Sequence, residues 1–269
     1  VRAHVAVREA PHYRRDAFCD GLRTCGYTVG PELAKPAPTD LLLIWNRYGD
    51  GARLAAHYER HGATVVVAEN GFLGRDWAGR VWYSLAIGWN AGAGRWHVGG
   101  TERAGMFAAE LKPWRQQDGH ALVFAQRGIG SPPVAQPPGW HQKAAQLIER
   151  MGHRVVIRGH PGRHQENPSL YKQLDGAAFA VTWASGAAIK ALLYGVPVYN
   201  GLPQWIGAPA ARPFGKTLEA PFRGDRTEFL TRLAWAMWSV EEIGSGYAFR
   251  HLLRGPKEAV QQGPLQRTG

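Results

Sequence analysis

Two stretches, "TDLLLIWN" (39–46) and "ATVVVAEN" (63–70), constrain this chain more than anything else in it. Each is an unbroken apolar run closing on a polar strand end. A strand with one wet face alternates apolar and polar residues. These do not, so they predict strands buried on both faces, as in a parallel sheet covered by helices on each side. Between them "GARLAAHYERHG" (51–62) has helical spacing and stops at a glycine. Upstream, "VRAHVAVR" (1–8) is β-like. The segment "YRRDAFCDGLRTCG" (13–26) sets Phe18, Leu22 and Cys25 on one helical face and ends at Gly26. Strand and helix alternate, which is the pattern of an α/β fold.

The alternation breaks over 71–118, a Gly- and Trp-rich stretch with poor periodicity, read as a long loop holding a short strand around Val81 to Ile87. It resumes with strands at "HALVFAQRG" (120–128), "HRVVIRGHPG" (153–162), "AAFAVTWASG" (177–186) and "VPVYNG" (196–201). Helices are expected at 140–152, 169–176 and 187–195. The segments 225–239 and 241–253 also read as helices. With 269 residues and 45% hydrophobic content, the chain suits two domains with real cores. The expectation is α/β, with two Rossmann-like domains, 1–115 and 116–240, and a C-terminal helix and tail, 241–269.

The formal net charge is +11, from 32 Lys+Arg against 21 Asp+Glu. The first 118 residues hold 15 against 12, and the remainder 17 against 9. That excess points to a phosphate-bearing partner, with solubility charge as the plain alternative. No apolar run approaches the ~20 residues of a membrane span, and the charged start is unlike a leader peptide. Cys19 and Cys25 share one helix, where a disulfide is not favoured. Cytosolic residence is the simple reading. No phosphate-loop lysine motif, no G-x-G-x-x-G after the first strand, no metal-spaced His/Cys/Asp cluster and no G-x-S-x-G turn occurs. A hydrolase is thereby disfavoured, and no metal requirement is expected.

Three strands of the second half end in sequence suited to an anion: Gln126-Arg127-Gly128, Arg158-Gly159-His160 and Ser185-Gly186. Ligands of open parallel sheets collect at the carboxyl ends of the strands. A helix opening at Ser185-Gly186-Ala187 turns free N–H groups and its positive dipole end toward that region, with Lys190 one turn further in. Arg127 and Arg158 suit a diphosphate clamp. Each has a plainer reading: a capped helix, a surface ion pair for Arg158, a turn residue for His160.

The segment "SGAAIKALLYGVPV", preceded by "IRGHPG", resembles the nucleotide-sugar-binding half of GT-B fold glycosyltransferases. The likeness covers about 120–200 well and 1–110 only as a strand–helix pattern. It implies that the two Rossmann-like domains face across a cleft, the first for the acceptor and the second for the nucleotide sugar, and that the tail, 241–269, similar to that family's closing helices, packs back on the first domain. It also implies transfer of a sugar from a nucleotide donor, a UDP-sugar by preference, held by Arg127, Gly128, Arg158, His160, Ser185, Gly186 and Lys190. His160 would also meet the leaving oxygen. A departure is the missing acidic residue in the helix after Ser185, with Glu219 a weak substitute. If the anomeric centre inverts, the acceptor hydroxyl needs a base. Glu69, at the end of its strand, is the first candidate, ahead of Asp76 and Asp20, although it equally suits capping the following turn. Asn46, Arg47, Asn70, Trp89 and Asn90 are the expected acceptor-side residues. The glycines of "SLAIGWNAGAG" fit a lid or a tight backbone approach.

The favoured acceptor at this stage is DNA carrying a 5-hydroxymethylpyrimidine, in the manner of phage-encoded DNA glycosyltransferases. Arginines would meet backbone phosphates, and Trp82, Tyr83 or Trp89 would stack on an extruded base. The alternatives are a bacterial surface glycan or lipid-linked sugar as acceptor, and a non-catalytic nucleic-acid-binding protein on a degenerate transferase fold.

Overall fold

The computed structural model describes residues 1–89, 92–116, 118–130, 134–160 and 168–254. The two apolar runs become neighbouring parallel strands at the centre of a sheet. In chain order the first half holds β1 (Arg2–Ala6), α1 (Arg15–Thr24), β2 (Thr28–Gly30), β3 (Leu41–Trp45), α2 (Asp50–Arg60), β4 (Thr64–Asn70) and β5 (Trp82–Ile87). Along β3, Leu41 and Leu43 face the core under α1, while Leu42 and Ile44 face the core under α2. All four are fully buried, which is why the run does not alternate in the sequence.

The second half repeats the plan with β6 (His120–Phe124), α3 (Trp140–Arg150), β7 (Val155–Arg158), α4 (Leu170–Asp175), β8 (Ala177–Thr182), α5 (Gly186–Leu193), β9 (Val198–Asn200) and β10 (Arg212–Pro213). Leu122, Phe124 and Ala180 face the α5 side, and Ala121, Val123 and Val181 the α3 side. Strand order is β10-β9-β8-β6-β7, all parallel. The chain therefore reverses its winding direction between β6 and β8. The first sheet does the same between β1 and β3, in the order β11-β5-β4-β3-β1-β2, where β11 is Met237–Ser239. Strands β1 to β4 are parallel, whereas β5 and β11 run antiparallel.

The chain crosses back near its end. Helix α6 (Thr227–Ala236) packs beside the 3-10 turn Thr101–Phe107 and in the core that holds α5. The next three residues join the first sheet as β11, with Met237 opposite Ser84. The helix read over 225–239 is thus cut short. The free edge of β5 offers backbone groups that need partners, and pairing there overrides the helical pattern of "MWS". The single helix read over 241–253 is two, α7 (Val240–Gly244) and α8 (Tyr247–Leu252), broken at Gly246. Both pack against α1. Ser239 and Glu242 form a reciprocal capping box at the crossing. Arg103 pairs with Glu242, donates to the Met237 carbonyl at 3.0 Å, and lies over the rings of Trp235 and Trp238. Residues 255–269 of the expected tail lie outside the described residues.

Candidate functional site

The carboxyl ends of the two sheets meet across a cleft of about 430 Å³. One wall comes from the first sheet: Asn46 beyond β3, Glu69 to Phe72 at the end of β4, and Trp89, Gly92 and Ala93 beyond β5. The other comes from the second: Gln126 to Gly130 beyond β6, His160 beyond β7, and Ala184 to Gly186 beyond β8. The strands end together because they are in parallel register, so one strand-end loop cannot approach the cleft without its neighbours.

On the second wall the backbone is locked by side chains. The Gln126 carboxamide oxygen accepts from Ala184 N at 2.8 Å, tying the β6 loop to the β8 loop at the winding reversal. Gln126 N in turn donates to Gln136 Oε1 at 3.2 Å. Thr182 Oγ1 accepts from Ser185 N at 2.8 Å, and Ser185 Oγ caps α5 by accepting from Ala187 N at 3.2 Å. Among the described residues no acceptor takes the Ser185 hydroxyl proton. A side chain added at Gly186 would meet open space, so that glycine leaves the helix start uncovered. Gly128 and Gly130 both hold positive φ, at 66° and 117°, which lets the loop backbone line the cleft between them. Arg127 is exposed there. Uncovered helix N–H groups, a capping hydroxyl and an exposed guanidinium make this wall fit to hold a phosphate.

The first wall is more strained. Asn46 sits at φ 54°, a left-handed conformation uncommon outside glycine, fixed by its N–H donating to the Ala68 carbonyl at 3.1 Å. Glu69 lies opposite Ser84 in the β4–β5 pairing and is half-buried. The Ser84 hydroxyl donates to the Asn70 carbonyl at 3.2 Å. Gly88 N donates to Val65 O at 2.8 Å, Ile87 and Arg95 exchange backbone bonds of 2.7 and 3.0 Å, and Ile206 N donates to Gly92 O at 2.9 Å. A Cβ at Gly92 would come within 3.2 Å of the Ala184 carbonyl, so this glycine allows the two halves to touch. Gly94 is as tightly enclosed, by the Ala86 side chain, so Gly92 and Gly94 serve a tight backbone approach, whereas Gly88 has open space where a Cβ would sit and serves a turn at φ 82°.

The cleft brings together Asn46, Glu69, Asn70, Trp89, Arg127, Gly128, His160, Ser185 and Gly186. Two expected residues are placed elsewhere, and a third, Arg47, lines an adjoining hollow with its guanidinium already engaged. Arg158 donates to Pro168 O at 2.7 Å and to Gln173 Oε1, and burial lowers its pKa from the ordinary value. It fastens the end of β7 to α4 and does not line the cleft, a correction to the paired-arginine clamp. Lys190 lines a separate cavity of about 280 Å³ with Glu110, Tyr171 and Tyr194, and burial lowers its pKa too. One helical turn is enough to carry it out of the cleft. Arg47 is committed to Glu59, with bonds of 2.7 and 2.5 Å, and to the Gly88 carbonyl. Asn90 lies outside the described residues. Gln126, named in an anion-suited strand end but given no role of its own, and Tyr48, not singled out, also line the cleft. Gln126 was findable, being the first polar residue after an apolar strand. Tyr48 had no such mark. Among the described residues no group of three or more His, Cys, Asp or Glu is placed to hold a metal, and no helix is long and apolar enough to cross a membrane.

No family model and no curated protein matches the sequence. Solved structures do match in fold. One is Thermosulfurimonas dismutans KpsC, beta Kdo 2,7 transferase, with a TM-score of 0.51 and 13% identity, covering 93% of this chain and 99% of that one. Another is the beta Kdo 2,4 transferase of the same organism's KpsC, with a TM-score of 0.50 and 13% identity, covering 90% and 98%. The likeness bears out the expected architecture, two Rossmann-like domains facing across a cleft as in GT-B transferases.

Proposed function

We propose that the protein is a glycosyltransferase that moves a sugar from a nucleotide-sugar donor to a hydroxyl of a bacterial surface glycan. The observation that carries this reading is the cleft itself. A phosphate-suited wall built from Arg127, Ser185 and Gly186 faces a wall bearing the carboxylate of Glu69. Donor phosphates would rest at the start of α5, where the helix dipole and Arg127 stabilise the charge that develops as the bond to the anomeric carbon breaks. The acceptor oxygen forms the new bond to that carbon. Its proton passes to Glu69 if configuration inverts, and the bonding pair departs on the phosphate oxygen, to which His160 would donate a hydrogen bond.

Fold likeness to two transferases named for Kdo transfer supports a surface glycan over DNA as acceptor. The DNA reading rested on net charge and on the Arg- and Trp-rich segment 75–96, where Arg75 pairs with Asp76 and both Trp82 and Tyr83 are buried. The test is a thermal-shift panel of UDP, GDP and CMP and their sugars, followed by nucleotide release in the presence of glycan or hydroxymethylated duplex DNA. At least one nucleotide should raise the melting temperature. Glu69→Gln should lower turnover by about 10²- to 10⁴-fold and leave nucleotide binding intact. A panel with neither shift nor turnover would refute the transferase reading, and sugar found only on DNA would restore the other acceptor.

A further inference from the structure

The cleft does not stop at the sheet ends. A second hollow of about 690 Å³ opens beside it, and the two share Tyr48, Trp89, Arg127, Gly128, Ile129 and Gly130. They form one groove, running from Glu69 out over the first turns of α2, where its floor is Ala52 and Ala56. Each part lies within the roughly 300–1,000 Å³ typical of small-ligand sites, so the groove has room beyond a donor and one sugar.

Its aromatic residues are set up unusually. Tyr48 is 67% exposed, far more than an aromatic needs for packing. Trp89 is backed by the Arg47 guanidinium, 4.0 Å from its ring centroid. Arg47 is itself only 9% exposed and is held by both Glu59 oxygens and by the Gly88 carbonyl. It cannot leave for a ligand phosphate without stranding a carboxylate. What it does instead is fix the plane of Trp89. A held face such as that of Trp89, with the exposed ring of Tyr48 beside small residues, suits the C–H faces of sugar rings, whose hydroxyls then stay in water. The charge argues the same way. Among the described residues the groove's lining cations are Arg47, already paired, and Arg127, whereas a nucleic acid demands several phosphate contacts.

Resting on the transferase reading above, we propose that this groove binds the acceptor as an extended oligosaccharide of two or more units stacked on Tyr48 and Trp89. Arg47 is then a positioning residue acting through Trp89. The test is direct binding of the full chain to an array of bacterial surface oligosaccharides graded by length, with a duplex DNA as a further probe, beside the nucleotide thermal shift. Oligosaccharides should bind at least about tenfold more tightly than their monosaccharides, some 1.4 kcal/mol. Trp89→Ala and Tyr48→Ala should each remove most of that gain, and Trp89→Phe should restore part of it. Glu59→Gln, which frees Arg47, should weaken oligosaccharide binding severalfold without changing the nucleotide shift. No array binding, no dependence on length, indifference to Trp89 and Tyr48, or binding of the duplex instead would each overturn the proposal. Nucleotide shifts without glycan binding would sink the groove and leave the transferase standing. Glycan binding without nucleotide shifts would do the reverse.

Discussion

Arg226 offers a quantitative test of how the cleft is held. It is 8% exposed and has no carboxylate in contact among the described residues. Its guanidinium donates to Leu192 O at 2.6 Å, at the last turn of α5, and to the Lys112 carbonyl, and it lies 4.2 Å from the Trp114 ring centroid. Burial pushes its pKa down from the ordinary value, so the site opposes the charge that it uses. Arg226→Met removes that opposition along with the bonds. Two charge-assisted bonds are worth about 1.5–3 kcal/mol each, and a desolvated cation–π contact up to about 2 kcal/mol. Relief of the buried charge returns part of the sum, leaving an expected loss of about 2–4 kcal/mol. For a chain of this size that is a fall in melting temperature of roughly 5–15 °C. Urea unfolding should show a lower midpoint at an unchanged m-value. Since the same helix begins at Ser185 in the cleft, nucleotide affinity should weaken as well. A midpoint within error of the parent protein would refute the claim that this buried cation anchors α5.

Two further outcomes are expected. Arg127→Ala should weaken nucleotide binding about tenfold or more, the loss of one charge-assisted contact, whereas Arg158→Ala should lower stability and leave binding within twofold; equal loss of binding in both would bring back the paired clamp. Stability should also fall in two acid steps, measured by urea melts from pH 8 to pH 2. His120 and His251 are buried, and burial foremost pushes both pKa values below the usual value of about 6.5. The unfolded chain takes up those protons first, so stability is full above about 6.5 and declines below it. Asp40 is held down to about 2, chiefly by the Arg2 side-chain bond. Its contribution is therefore present above about pH 4 and lost as pH falls toward 2. With Arg2 half exposed, solvent screening limits that contribution to about 1–2 kcal/mol. A flat profile between pH 8 and 5 would contradict the histidine assignment.

How much of this was legible in the sequence depended on what kind of signal carried it. Strands β3 and β4 were plain because double-sided burial forbids alternation. The start of α5 was plain because Ser-Gly after a buried strand leaves few other structures open. β11 was not, because "MWS" continues the apolar pattern of α6, and only the distant edge of β5 turns it into a strand. The short strands β2 and β10 carry too little pattern to register.

The cations drawn away from their expected ligand contacts share a different cause. Arg47, Arg158 and Lys190 all sit near strand ends or a helix start, and each has a side chain long enough to choose among several neighbours. Arg47 chooses Glu59, Arg158 chooses Gln173, and Lys190 follows its helix into another cavity. Proximity in sequence to a strand end fixes where a backbone goes and leaves the end of a long side chain undetermined. The groups on which a reading of the cleft can rest are therefore those whose position the backbone dictates: the Gln126–Gly130 loop, the start of α5, and Glu69, locked by the pairing of β4 with β5. Arg127 is the one cation in that set, and it belongs there by its backbone, which follows Gln126, whose N–H donates to Gln136 Oε1 and whose carboxamide oxygen accepts from Ala184 N.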